Sequence, residues 1–115
     1  MLNAEWVQKR YNYLAILSEK LVKEGFKQRD FRVLSDKSCK VEWIYTEALH
    51  IVYFWVVQVK LDVNGLFSYA VLYGPKKAHQ GNSQETQNIG EWKTLSGVEK
   101  GIIPKFRKSM EKFKQ

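Results

Sequence analysis

Lys60, Phe67, Tyr69 and Tyr73 stand at positions that an alternating hairpin would bring together. Rings on an open antiparallel sheet, flanked by basic groups, can stack bases and neutralise phosphates, and the same rings can anchor another protein. A second candidate lies near the C-terminus, where Lys100, Lys105, Arg107, Lys108, Lys112 and Lys114 stand against only Glu99 and Glu111. Lysines on a helix whose other side is apolar can meet an acidic protein, a nucleic acid or an anionic membrane surface. Lys76 and Lys77 add a basic pair just past the ring-bearing segment. The binding candidates are thus Lys60, Phe67, Tyr69, Tyr73, Lys76, Lys77, Lys105, Arg107 and Lys108. A plainer reading stands beside them: the helix is an ordinary solvated face, and either it or Trp92 covers the rings, because the stripe of Ile103 and Phe106 needs an apolar partner.

Catalytic chemistry finds less support. His50 and His79 are far apart, Cys39 has no partner cysteine, and no residues show metal-ligand spacing. Cys39 alternates with Val41 and Trp43, which reads as a small buried hydrophobe rather than a nucleophile. Glu42, Glu47 and Asp62 carry no spacing that marks a general acid and base, and there is no phosphate-binding loop, dinucleotide glycine pattern or nucleophile elbow. The expectation is a non-enzymatic chain without metal or cofactor.

The elements that must position these residues follow from periodicity. Asn3 caps, and Val7, Leu14, Leu17 and Leu21 recur at helical intervals, so residues 4–24 read as an amphipathic helix that Gly25 ends. The period then becomes alternating. Phe31 and Val33 share one side, Ser35-Asp36-Lys37-Ser38 is a turn, and Cys39, Val41, Trp43 and Tyr45 alternate with Lys40, Glu42, Ile44 and Thr46. After Glu47 to His50, a third strand covers Ile51 to Val63. Asn64-Gly65 suits a two-residue type I′ turn, which would set Leu61 opposite Ser68, Val59 opposite Ala70 and Val57 opposite Leu72 on one face. The other face would pair Asp62 with Phe67, Lys60 with Tyr69, Gln58 with Val71, and Val56 with Tyr73.

Residues 75–90 form a long polar connection, and Glu91 to Leu95 a short fifth strand that Ser96-Gly97 breaks. Ile103, Phe106, Met110 and Phe113 make the stripe of a C-terminal amphipathic helix, with Pro104 in its first turn. The fold class is α+β: an N-terminal helix, an antiparallel meander of four to five strands and a C-terminal helix, in two layers. Whether both helices share a sheet face is left open.

At 115 residues the chain suits one domain, 1–115, with one core, to which four Trp, six Tyr and six Phe contribute. The formal charge of +7 favours acidic partners. The start has neither the basic nor the apolar run of a secretory signal, the apolar stretch Ile51 to Val57 is too short to cross a membrane, and a single cysteine suits a reducing compartment, so a cytoplasmic location is expected. These readings point to a small intracellular protein-binding module, such as a neutralising, immunity-type inhibitor of another protein, acidic at the contact. The alternative is a nucleic-acid-binding protein using the basic helix and the ring-bearing sheet face. An open strand edge also allows a homodimer.

Overall fold

The computed structural model describes residues 15–48, 52–75 and 86–114. Helix α1 occupies 15–23 among them, and the earlier part of the expected helix lies outside them. Its end follows from local chemistry. Gly25 adopts φ +105°, Phe26 N–H donates to Leu21 C=O at 3.0 Å, and Gly25 N–H donates to Val22 C=O at 3.0 Å. This pair of bonds satisfies the last helical carbonyls, and burial of both Leu21 and Phe26 adds the apolar contact that accompanies such a cap.

Five strands follow: β1 (Lys27–Val33), β2 (Cys39–Ala48), β3 (Val52–Leu61), β4 (Phe67–Pro75) and β5 (Thr86–Trp92). They pair antiparallel in sequence order, as a meander. Helix α2 (Leu95–Lys114) closes the chain. The expected two-layer α+β class is what the chain adopts.

The two short hairpins use one loop design. In the first, Leu34 N–H donates to Ser38 C=O and Lys37 N–H to Leu34 C=O, at 2.8 and 2.9 Å. In the second, Asp62 N–H donates to Leu66 C=O and Gly65 N–H to Asp62 C=O, at 2.8 and 3.0 Å. The residue before the closing position takes positive φ, 69° at Lys37 and 80° at Gly65. These are three-residue loops built on a type I turn and a left-handed residue, so the expected type I′ turn at Asn64-Gly65 is corrected. The Asp62 carboxylate explains the difference: it accepts the N–H groups of Asn64 and Leu66 at 2.8 and 3.0 Å, holding Val63-Asn64 in the right-handed turn.

The pairings of Val56 to Lys60 with Tyr73 to Tyr69 are those expected, but the larger loop shifts the register at its end. Leu61 therefore faces Phe67 rather than Ser68, and Phe67 turns to the side of the sheet that carries the core.

Three other expectations are corrected near the C-terminus. Residues 86–90, read as part of the polar connection, belong to β5; Ile89 is accommodated at an irregularity in the β4–β5 register and packs against the core. Ser96-Gly97 lies inside α2, which begins at Leu95 because the Thr94 hydroxyl accepts Gly97 N–H at 3.0 Å. Pro104 therefore sits within the helix, not in its first turn. The buried seam is Val98, Ile102 and Phe106, with Ile103 and Met110 partly buried beside it.

Both helices lie on one sheet face. Trp43 and Trp55, buried on that face, donate their indole N–H groups to Ser18 of α1 at 3.2 Å and to Ser109 of α2 at 3.0 Å. Between them Phe26, Tyr45, Trp55 and Phe106 form an aromatic cluster with centroids 4.7 to 5.9 Å apart. At the solvent side Arg107 of α2 forks onto Glu24, just past α1, with its Nε donating at 3.1 Å.

Trp92 is seated by absent side chains. A Cβ at Gly101 would stand 2.5 Å from the indole nitrogen, and one at Gly90 would stand 2.6 Å from the far edge of the same ring. In an exposed helix, Gly to Ala stabilises by about 1 kcal/mol. Here Gly101→Ala should instead lower stability, by about 1–3 kcal/mol, because the ring cannot move away without meeting Gly90. Lys37→Gly should raise it by about 0.5–1 kcal/mol by relieving left-handed strain. Urea unfolding curves check both.

Candidate functional site

The face of the sheet opposite the helices is lined by residues in registered rows. Each row follows from strand alternation, which sends every second residue to this side, and from the cross-strand pairing that aligns them. The first row runs Arg32, Lys40, Lys60, Tyr69. Lys93 closes it with its ammonium 5.3 Å from the Tyr69 ring centre. The second runs Asp30, Glu42, Gln58, Val71, Glu91. The third runs Lys27, Ile44, Val56, Tyr73, Asn88, and beyond it Thr46 pairs with Phe54.

Cations therefore occupy one end of the face, carboxylates the middle, and apolar groups the other end. Ile44, Phe54, Val56 and Tyr73 lie at that end on the three central strands, with Val71 beside them in the middle row. Val71 is only 5% exposed and stands apart from the main core. Among the described residues no helix lies over these side chains, so the expectation that the C-terminal helix or Trp92 covers the rings is corrected for Tyr69 and Tyr73, while Phe67 packs against the core on the helix side. Trp92 pairs with Ala70 on the helix side, and α2 is held there by Trp55.

The charges on this face are partly satisfied. Arg32 donates to Asp30 at 3.1 Å, Lys93 to Glu91 at 2.6 Å, and the Gln58 amide donates to the Glu42 carboxylate. The bond from Lys93 holds the Glu91 carboxyl below its ordinary pKa. On the helix side the Tyr45 hydroxyl donates to Glu47 at 2.6 Å, which pushes the phenol up to about 12. Two hydrogen bonds from Ser38 hold the Asp36 carboxyl low, and Glu24 raises the Arg107 guanidinium.

Of the candidates read from the sequence, Lys60, Tyr69 and Tyr73 all lie on the open face; Lys60 and Tyr69 are paired, and Tyr73 stands two rows away, beyond Gln58 and Val71. Phe67 does not join them, because the hairpin loop turns it inward. Lys105, Arg107 and Lys108 are exposed on the solvent side of α2, across the sheet from the rings, and Arg107 is engaged with Glu24. The basic helix and the ring-bearing face are thus two separate surfaces. Lys76, Lys77, His50 and His79 lie outside the described residues. Cys39 is buried on the helix side. Among the described residues no group of three or more His, Cys, Asp or Glu is placed to hold a metal ion, and no helix is long and apolar enough to cross a membrane.

Sequence reasoning placed Val56 and Val71 on the face of Tyr73 but missed Ile44 and Phe54 as members of the patch, and Arg32 and Lys40 as members of the cation row. The alternation of β2 places Ile44 with Lys40 and Glu42, but the connection between β2 and β3 carries no turn signature that would have aligned them with Val56 and Lys60.

Comparison of the chain with protein-family models, with curated proteins and with solved structures finds no match.

Lys40 faces a cation on each side, Arg32 and Lys60, and like charges directly opposite one another destabilise a sheet by a few tenths of a kcal/mol or more. Lys40→Glu should therefore stabilise the fold by about 0.5–1 kcal/mol at low salt, and the gain should shrink as salt screens it. Thermal unfolding at two ionic strengths checks this.

Proposed function

We propose that this chain is a small protein-binding module, of the kind that neutralises another protein by covering it, and that it docks through the open face of its sheet. The observation that carries this reading is the cluster of Ile44, Phe54, Val56, Val71 and Tyr73 with no described helix over it, bordered by charged rows. An apolar and aromatic patch beside charged and polar groups has the composition of a protein interface. The end of the face that bears Arg32, Lys40 and Lys60 fits carboxylates on the partner. A single buried cysteine suits work in a reducing compartment.

Charge layout favours a protein over a nucleic acid. Asp30, Glu42 and Glu91 occupy the row next to the cations, with Gln58 and Val71 between Tyr69 and Tyr73, so a phosphate backbone following Arg32, Lys40 and Lys60 would run alongside three carboxylates. The basic side of α2 presents lysines without accessible rings beside them among the described residues.

The test is capture from the native cell lysate on immobilised protein, after nuclease treatment and a high-salt wash, comparing the natural chain with Val56→Asp and with a Lys105→Ala/Lys108→Ala control. A discrete protein retained by the natural chain and the control, and at least about tenfold depleted with V56D, is expected. Capture indifferent to V56D would overturn the docking face. Recovery of nucleic acid alone, lost on nuclease treatment and with a salt slope reduced by the helix substitutions, would overturn the protein-binding reading.

A further inference from the structure

Strand β1 is an edge. It pairs only with β2 among the described residues, and its apolar side chains Phe31 and Val33 are 44% and 48% exposed although they face the helix side, where their neighbours Val41 and Cys39 are buried. The hairpin bond from Leu34 N–H to Ser38 C=O sets the direction of the backbone groups. Counting back in twos, Arg32 and Asp30 turn theirs toward β2, while Val33 and Phe31 turn theirs outward. The other edge, β5, carries the register irregularity beside Ile89 and is packed against α2.

The charges on β1 are misplaced for its own sheet. Asp30 faces Glu42, and Arg32 faces Lys40. Both are like-charge neighbours, which the fold of one chain does not call for. They become complementary when the strand meets a second copy of itself. In an antiparallel pair centred on Phe31, the two Phe31 residues exchange backbone hydrogen bonds, Asp30 faces Arg32 of the second copy, and Arg32 faces its Asp30. Because Asp30 and Arg32 already pair within the strand at 3.1 Å, the four groups form an alternating ring of charge on one face. On the other face Phe31 meets its counterpart and Val33 is covered.

We propose that the chain forms a two-fold symmetric homodimer through β1, centred on Phe31, joining the two sheets into one of ten strands. The contact is isologous and closes, so it limits assembly at two copies through this edge. The open faces of both copies then lie side by side. The dimer needs no other partner, so its existence is read independently of the docking face.

Sedimentation velocity over a concentration series reaching the high-micromolar range tests it, with the natural chain, Asp30→Arg, and the reversed pair Asp30→Arg/Arg32→Asp. The natural chain should shift with concentration from 13.5 kDa toward double that mass. D30R sets two cations against each other across the two-fold axis and should weaken the dimer about tenfold or more. The same change places a cation opposite Glu42 in exchange for the exposed Asp30–Arg32 pair, so the monomer should still fold, which circular dichroism and thermal unfolding verify. D30R/R32D restores both cross-axis pairs and should recover the dimer. A natural chain that stays monomeric throughout, a dimer that D30R leaves unchanged, or a reversed pair that fails to recover it would each overturn the proposal.

Discussion

Two indole N–H groups govern where everything else can go. A buried Trp nitrogen without an acceptor costs about 1–3 kcal/mol, so each must find one. Trp43 finds Ser18 and Trp55 finds Ser109, and the cross-strand partners of these residues, Val57 and Tyr45, are neighbours on the same face of the sheet. Both helices are thereby drawn to one side. Phe26 and Phe106 fill the space between them, meeting edge to face at 4.7 Å. The chain spends both helices on one face, and the described residues leave the other without a helical layer.

That open face is organised by charge as well as by shape. A sheet optimised for its own stability would alternate signs across strands; here Asp30 opposes Glu42, and Arg32, Lys40 and Lys60 stand in line. The arrangement is relieved locally along strands, by Arg32 on Asp30 and Lys93 on Glu91, and by Gln58 on Glu42. Charges that are poorly placed for one chain become well placed once something lies across or beside them, which is why the docking reading and the edge-to-edge reading both begin from the same rows.

Glycine and its substitutes do the fitting. Gly25 turns the chain from helix to sheet, while Gly90 and Gly101 leave room for one indole between β5 and α2. The two hairpins share a loop, yet one places Gly65 and the other Lys37 at the left-handed position. A helix bearing Gly97, Gly101 and Pro104 is weak by intrinsic propensity, so α2 depends on its packing through Val98, Ile102 and Phe106.

Local chemistry was legible in the residues alone. The helix ending at Gly25, the strand alternation from Cys39 to Tyr45, the pairing of Val57 and Val59 with Leu72 and Ala70, the α+β class and the burial of Cys39 all follow from periods and turn residues acting over a few positions. The start of α2 rests on a local Thr94 cap that the Ser96-Gly97 break signal outweighed, whereas the extent of β5 was misread because Ile89 carries meaning only against the core. The inward turn of Phe67 depended on the Asp62 carboxylate choosing one turn over another. Which face the helices cover, and so which residues form the open patch, was decided by tertiary structure alone. Amphipathic helices and an alternating sheet state that an apolar side must be buried, but contacts between residues as distant as Trp55 and Ser109 select the side, and no local pattern records them.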